Sequence, residues 1–260
     1  MDNVNKTLYI PLYGKALVSK KGIILQDKKA EELWEQVQFP LRSKSKSKWL
    51  AYYMGMRSAV FDQWVKDTLK KHPKAIVLHL GCGLDSRVLR VDCNTIWYDI
   101  DFPEVITERK LHYSETDLYH MIASDICDTT FLDSIPKADN AIVILEGVSM
   151  YLKNDELQKT LAKLTEHFGA LSLLVDCYTP FAAKMSKIKN PINDVGVKDV
   201  FGIANPQVLE NGTGLTFMQE HQLTPGHLID QLKGFEKLVF KNVYAGKTSK
   251  KLYKLYEYGN

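Results

Sequence analysis

One rhythm limits what this chain can fold into. From Ala75 onward short apolar runs recur, Ile76 to Leu80, Thr95 to Tyr98, Tyr119 to Ala123, Ala141 to Leu145 and Leu171 to Val175, and each gap between them is long enough to hold a helix. Such gaps exceed what a hairpin needs and match crossover connections, so successive strands are expected to run parallel with helices on both faces of the sheet. Helix starts are legible too. Pro103 suits a first helical turn, and Asn154 followed by Glu156 and Leu157 marks a capped start ahead of Leu161 and Leu164. Two β-rich segments close the chain, Lys237 to Tyr244 and Leu252 to Tyr258, and they read as a terminal antiparallel hairpin. The expected fold class is α/β: a doubly wound, mostly parallel seven-stranded sheet with a terminal antiparallel hairpin, N-terminal helices and an inserted cap.

The 260 residues, 45% of them apolar, suffice for one such domain over residues 1–260. Residues 1–73 are expected to form a helical appendage, with Ala30, Leu33, Trp34 and Val37 recurring on one helix face. Within it, Arg42-Ser-Lys-Ser-Lys-Ser-Lys48 has nothing apolar to bury and reads as a solvated loop. The core is then 74–176, a cap insertion 177–235, and the hairpin 236–260. The cap follows from Cys177 to Gly214, a stretch with Pro180, Pro191 and Pro206 that is too long to stay structureless in a compact domain.

Composition removes several functions. Thirty-four Lys plus Arg against 31 Asp plus Glu leave a formal charge of +3, too even a balance for an electrostatic nucleic-acid binder. Cys82, Cys93, Cys127 and Cys177 show neither a CxxC pair nor zinc-site spacing, which predicts free thiols in a reducing compartment and no bound metal. The N-terminus MDNVNKTLYIPLYGK has no signal-peptide core, and no stretch could span a bilayer, so a cytoplasmic location is the expectation.

The most informative segment is Ile76-Val-Leu-His-Leu-Gly-Cys-Gly-Leu-Asp-Ser-Arg87, a strand running into Gly81, Gly83 and a helix. Glycine permits a sharp turn and a close ligand over the strand's carboxyl end, although a ligand-free turn uses the same residues. The acidic residues choose between ligands. Ser86 stands where a dinucleotide fingerprint wants its third glycine, and Asp85 puts a carboxylate where a pyrophosphate would sit. S-adenosylmethionine, which has no phosphate but carries a sulfonium and an ammonium, suits such a turn better. Asp101, in Trp97-Tyr-Asp-Ile-Asp101, follows the first glycine at the separation typical of a ribose-binding carboxylate, a role that competes with capping the helix at Pro103 and that Asp99 could share. Ser124-Asp125-Ile126 and Leu145-Glu146-Gly147 close the third and fourth strands on the same sheet edge, where such folds bind ligands.

Together, His79-Leu-Gly-Cys-Gly-Leu-Asp-Ser-Arg87, Tyr98-Asp-Ile-Asp-Phe-Pro-Glu104 and Glu146-Gly-Val-Ser-Met-Tyr-Leu152 resemble the leucine carboxyl methyltransferases and the polyketide O-methyltransferases grouped with them. The resemblance begins at Leu12-Tyr-Gly-Lys-Ala16 and runs to the Glu146 motif; past Asp176 only the terminal hairpin matches. It implies S-adenosyl-L-methionine as cofactor and S-adenosyl-L-homocysteine as product. It further implies that Arg57 pairs with the cofactor's carboxylate, Gly81 and Gly83 lie under its methionine part, and Asp101 holds the ribose. Asp125 with the backbone of Ile126 would address the adenine, and Glu146 would stand near the amino-acid portion. Without the resemblance Arg57 reads as an exposed helical arginine. Cys82 and His79 depart from the family pattern, and His79 reads as a hydrogen-bonded core residue.

Methyl transfer from a sulfonium asks a protein to align acceptor oxygen, methyl carbon and sulfur and to exclude water. A carboxylate acceptor needs no base; a hydroxyl would need one, and Tyr151 matches a family position near the acceptor. The resulting expectation is an O-methyltransferase acting on a carboxylate or hydroxyl of a small molecule, without a nucleic-acid or membrane partner. A protein C-terminal carboxyl methyltransferase and a non-catalytic S-adenosylmethionine-binding module are the alternatives. The acceptor would be enclosed by the N-terminal helices and the segment Cys177 to Gly214, where Lys184, Lys187, Lys189 and Lys198 could attract an acidic group, a role that competes with a solvated charged helix, the expected fate of most of them.

Overall fold

The five apolar runs become five parallel strands in the computed structural model, which describes residues 5–37, 39–41, 43–91, 94–189, 199–246 and 249–260. They are β1 (Ile76–Leu80), β2 (Trp97–Asp101), β3 (Tyr119–Ala123), β4 (Asn140–Leu145) and β5 (Ala170–Tyr178). Two antiparallel strands follow, β6 (Thr216–Glu220) and β7 (Tyr253–Gly259), giving the order β3-β2-β1-β4-β5-β7-β6. The second strand starts later than its apolar run because Thr95 is spent in the turn before it, its hydroxyl donating to the Ala75 carbonyl at 2.6 Å.

The terminal antiparallel pair is present, but its first strand is not Lys237–Tyr244. That segment is helical, Gly234–Val239 continuing into a π-helical turn Phe240–Tyr244, and β6 lies inside the segment expected to form the cap. The helical spacing is what pays: Phe240 and Tyr244, four residues apart, stack at 4.4 Å, and Phe240 is fully buried near Trp49 and Tyr52. Register on the other side is set by Phe217, which packs edge-on against Tyr256 and Tyr258 of β7.

Side chains alternate across the parallel strands and build a core on each face. Val77, Ile142, Ile144 and Leu174 join Phe61, Trp64 and Val65 of the helix Lys48–Lys71. Their neighbours Leu78, Val143, Leu145 and Leu173 join Leu157, Leu161 and Leu164 of the helix that begins at Asn154. In chain order the α-helices up to residue 189 are α1 (Tyr9–Lys20), α2 (Lys28–Val37), α3 (Lys48–Lys71), α4 (Arg87–Val91), α5 (Pro103–Lys110), α6 (Asn154–His167) and α7 (Pro180–Lys189). The expected starts hold: Pro103 opens α5, and α6 begins at Asn154 with the Glu156 carboxylate accepting the Lys153 N–H at 3.2 Å. Ala30 and Leu33 of α2 are buried, with Trp34 and Val37 packed beside them. Between α2 and α3, Lys44 and Lys46 are exposed in a short 3₁₀ turn; Arg42 lies outside the described residues. Cys82, Cys127 and Cys177 are free thiols, while Cys93 is outside the described residues. No helix of the described residues is long and apolar enough to cross a membrane.

Strand order reverses between β1 and β4, since β2 and β3 extend the sheet one way from β1 and β4 and β5 the other. A crevice at the carboxyl ends of the strands follows from that reversal, and it is where a doubly wound sheet binds ligands.

Candidate active site

At that crevice lies a cavity of about 670 Å³, roofed by the turn Asn5–Leu8 and by α1, which contribute Thr7, Leu8, Leu12 and Lys15 to its wall. The size falls within the ~300–1,000 Å³ of small-molecule sites. Part of its wall, here the first arm, is formed at the ends of β1, β2 and β4, and part, the second arm, by aromatic side chains.

The glycine turn floors the first arm. Gly81 sits at φ +68°, and a Cβ there would lie 2.4 Å from Val148 Cγ2, so another residue would be strained and would have to displace the Val148 side chain. The Gly83 N–H donates to Asp101 Oδ2 at 2.7 Å, and the Phe102 N–H to Asp101 Oδ1 at 2.8 Å. Burial raises the Asp101 carboxyl to about 6; the two N–H groups and Arg109 oppose this without overcoming it. Arg109 also clamps the turn, donating to the Gly83 carbonyl at 3.0 Å while paired with Asp99. Asp99 is wholly buried, takes the Trp97 indole at 2.8 Å and the Tyr119 hydroxyl at 2.7 Å, and is not part of this cavity's wall. Burial works against its ionisation, but Arg109 and its hydrogen bonds hold it at about 2.

Behind the first arm runs a buried ionic network. Arg57 Nε donates to Glu146 Oε1 at 3.0 Å and Nη1 to Asp176 Oδ2 at 3.0 Å. Arg87 bonds Glu146 Oε2 and Asp62, and Arg90 bonds Asp62 and Asp27. Asp85, expected to repel phosphate with a bare charge, is instead compensated: Lys15 Nζ is 2.9 Å from one oxygen, Arg87 3.4 Å, and Arg90 stands 2.9 Å from the other without hydrogen-bonding alignment. Burial opposes ionisation of Glu146, yet Arg87 and Arg57 hold it at about 2. His79 is the core residue anticipated: its Nε2 accepts from Arg87 at 3.2 Å, and Nδ1 lies 3.4 Å from Asp99, out of line. Burial, aided by Arg87, lowers its pKa.

The second arm is lined by Tyr53 and Met54 of α3, Met150 and Tyr151 after β4, Tyr178 ending β5 and Tyr253 opening β7. Helix α7, within the segment 177–235, adds Ala182 and Met185 to the wall. Burial pushes the phenols of Tyr53, Tyr151 and Tyr253 well up, so none is ionised near neutral pH.

Comparison with known proteins identifies this arrangement. The family model described as leucine carboxyl methyltransferase matches residues 3–165. The chain belongs to the leucine carboxyl methyltransferase family. Membership carries the class of chemistry, S-adenosylmethionine-dependent methyl transfer, and with it the cofactor. The tetracenomycin polyketide synthesis O-methyltransferase TcmP of Streptomyces glaucescens is 30% identical over 246 residues, covering 92% of this chain and 90% of that one. An S-adenosyl-L-methionine-dependent methyltransferase of Gibberella zeae, dpfgK, is 30% identical over 48% of this chain and 45% of its own. Among solved structures, magnesium protoporphyrin IX methyltransferase from Synechocystis PCC 6803 superposes with a TM-score of 0.51 at 11% identity, covering 95% of this chain and 99% of that one, a likeness of fold.

In this family member the residues singled out in the sequence divide as follows. Arg57, Gly81, Gly83, Asp101, Ile126, Glu146 and Tyr151 all line the one cavity. Arg57 is buried rather than exposed, and Glu146 is spent largely on Arg57 and Arg87. Asp125 is the exception: its carboxylate is exposed, closes a local turn on the Cys127 N–H at 2.9 Å, and lines no part of the cavity, whereas its neighbours Ser124 and Ile126 do. Of the lysines proposed to attract an acidic acceptor, Lys184 is exposed and off the wall; the side chains of Lys187 and Lys189, and Lys198 altogether, lie outside what is described. Sequence reasoning did not assign Lys15, Tyr53, Asp176 or Tyr253 to the site. Each is a cavity-wall residue or, for Asp176, the partner of one.

Proposed function

We propose that this protein methylates an oxygen, carboxylate or acidic hydroxyl, of a small aromatic acceptor seated in the tyrosine- and methionine-lined arm. The observation that carries this reading is the composition of that arm: apolar, aromatic, enclosed by α3 and α7, and without an ionised base among its described residues. An acceptor that arrives already ionised needs none. Sequence likeness to TcmP, an O-methyltransferase of polyketide synthesis, supports the same class.

The cofactor fits the first arm on charge. Four cations, Lys15, Arg57, Arg87 and Arg90, meet five carboxylates, Asp27, Asp62, Asp85, Glu146 and Asp176, and Asp101 stands apart from them, so the surplus is negative. A ligand with a sulfonium and an ammonium balances that surplus. When bound, S-adenosylmethionine supplies a methyl group on positively charged sulfur. Asp101 would accept the ribose hydroxyl protons, Ser124 and Ile126 would border the adenine, and Arg57 would present donors to the carboxylate. Gly81 and Gly83 would leave room for the methionine part. Tyr151 would orient the acceptor oxygen by hydrogen bonding rather than remove a proton, since burial holds its phenol neutral.

Incubation with methyl-labelled S-adenosylmethionine and a panel of benzoates, naphthoates and nitrophenols, beside a peptide ending in leucine, tests the reading. Label should enter the small acids, as base-labile esters, or the acidic phenols, as base-stable ethers. Label confined to the peptide terminus would move the acceptor to protein, and no transfer to any oxygen would leave the proposal without support.

A further inference from the structure

An arginine has five N–H donors in a rigid planar fork, so its free donors can be counted. On Arg57, Nε serves Glu146, and Nη1 serves Asp176 Oδ2 at 3.0 Å and the Tyr253 hydroxyl oxygen at 2.9 Å. Nη2 has no hydrogen-bond acceptor among the described residues. It lies against Gly147, where a Cβ would come within 3.1 Å of it, and the side chain lines the cavity. The holders are themselves held. Asp176 is fully buried; its Oδ1 takes the Gly147 N–H at 2.6 Å and its Oδ2 the Tyr253 hydroxyl proton at 2.6 Å. The Tyr253 ring is wedged edge-on between Tyr53 at 6.1 Å and Tyr178 at 5.1 Å. Donating to Asp176 and accepting from Arg57 fixes its hydroxyl in one rotor position.

We infer that Tyr253 and Asp176 are positioning residues that hold the Arg57 guanidinium with its two unused Nη2 protons aimed at the amino-acid end of the cofactor. This rests on the assignment of Arg57 to the cofactor's carboxylate. Without its two clamps the fork could swing toward Glu146 alone, and a bidentate grip on a carboxylate would lose its preorganisation. The same contacts would also serve a purely structural cluster, so the test must separate the two roles.

Calorimetric titration with S-adenosylhomocysteine and with 5′-methylthioadenosine does so, because the second ligand keeps the adenosine and thioether but has no amino-acid carboxylate. The wild type should prefer S-adenosylhomocysteine, and Arg57→Ala should abolish the preference. Tyr253→Phe should weaken S-adenosylhomocysteine by about three- to tenfold and leave 5′-methylthioadenosine within about twofold. Added to Arg57→Ala, it should do nothing further. Asp176→Asn should act in the same direction; if it does not fold, Tyr253→Phe, which keeps the ring, still decides. Equal weakening of both ligands by Tyr253→Phe, or of neither, overturns the inference while Arg57 keeps its role. A wild type without the preference, or an Arg57→Ala variant that retains it, removes the Arg57 assignment and the inference with it.

Discussion

Binding of S-adenosylhomocysteine should weaken as the pH falls through about 6, and Asp101 should be the cause. This carboxylate closes β2 at 8% exposure, and burial is the largest influence on it, lifting its pKa from 3.8 to about 6 against the Gly83 and Phe102 N–H groups and Arg109. The displacement corresponds to ~3 kcal/mol. Its sign follows from linkage: with the folded pKa above the unfolded one, the folded chain takes up the proton first. The ligand-free protein therefore loses ~3 kcal/mol from this group as the pH rises from about 4 through about 6, and that penalty persists at neutral pH. Ribose hydroxyls need the ionised form, and a hydrogen bond to a charged group is worth ~1.5–3 kcal/mol, so a bound ribose offsets much of the penalty. Affinity should be flat above about pH 7 and fall toward tenfold per pH unit below about 6. Glu146, held at about 2, does not titrate in this window, and burial lowers the pKa of His79. Burial also raises Asp176, so the slope has to be assigned by substitution. Titration calorimetry of Asp101→Asn should show affinity about tenfold or more below wild type at neutral pH and a flattened profile. A level wild-type profile down to about pH 5, or an unchanged slope in Asp101→Asn, would refute the reasoning.

Three further outcomes are expected. Gly81→Ala forces a side chain into the left-handed region, costing ~1–2 kcal/mol, and drives its Cβ against Val148, so urea unfolding should show a loss above ~2 kcal/mol; an unchanged midpoint contradicts the turn geometry. Asp99→Asn leaves the Arg109 guanidinium buried without its carboxylate and should cost ~3–5 kcal/mol by the same measurement, with less than ~1 kcal/mol counting against the clamp on Gly83. Tyr151→Phe should lower kcat/KM for an accepted acid a few-fold without moving the pH profile, whereas a loss of ~10²-fold together with the rise of rate with pH would make it a base.

What could be read from sequence is what local pattern encodes. Ile76–Leu80 and Tyr119–Ala123 were delimited by apolar runs alone, and Gly81, Gly83 and Asp101 by their place at strand ends. Lys237–Tyr244 deceived because Leu238, Val239, Phe240, Val243 and Tyr244 fit a strand and a helix alike, and only contact of Phe240 with Trp49 and Tyr52 resolves the period. Thr216–Glu220 was invisible for the opposite reason: on an edge strand only Phe217 is partly buried, so nothing alternates. The clamp on Arg57 had no local signal, since Asp176 and Tyr253 lie 119 and 196 positions away. Asp125 has the strand-end position that the pattern marks, while its side chain closes a turn on Cys127, which no local pattern shows.

A crystal structure of the protein with S-adenosylhomocysteine bears most directly on the account. It should show ribose hydroxyls on Asp101, the carboxylate on Arg57 Nη2, the adenine beside Ile126, and the sulfur facing the arm walled by Tyr151, Tyr178 and Tyr253. A product whose sulfur points away from that arm, or whose carboxylate leaves Arg57 untouched, would contradict it.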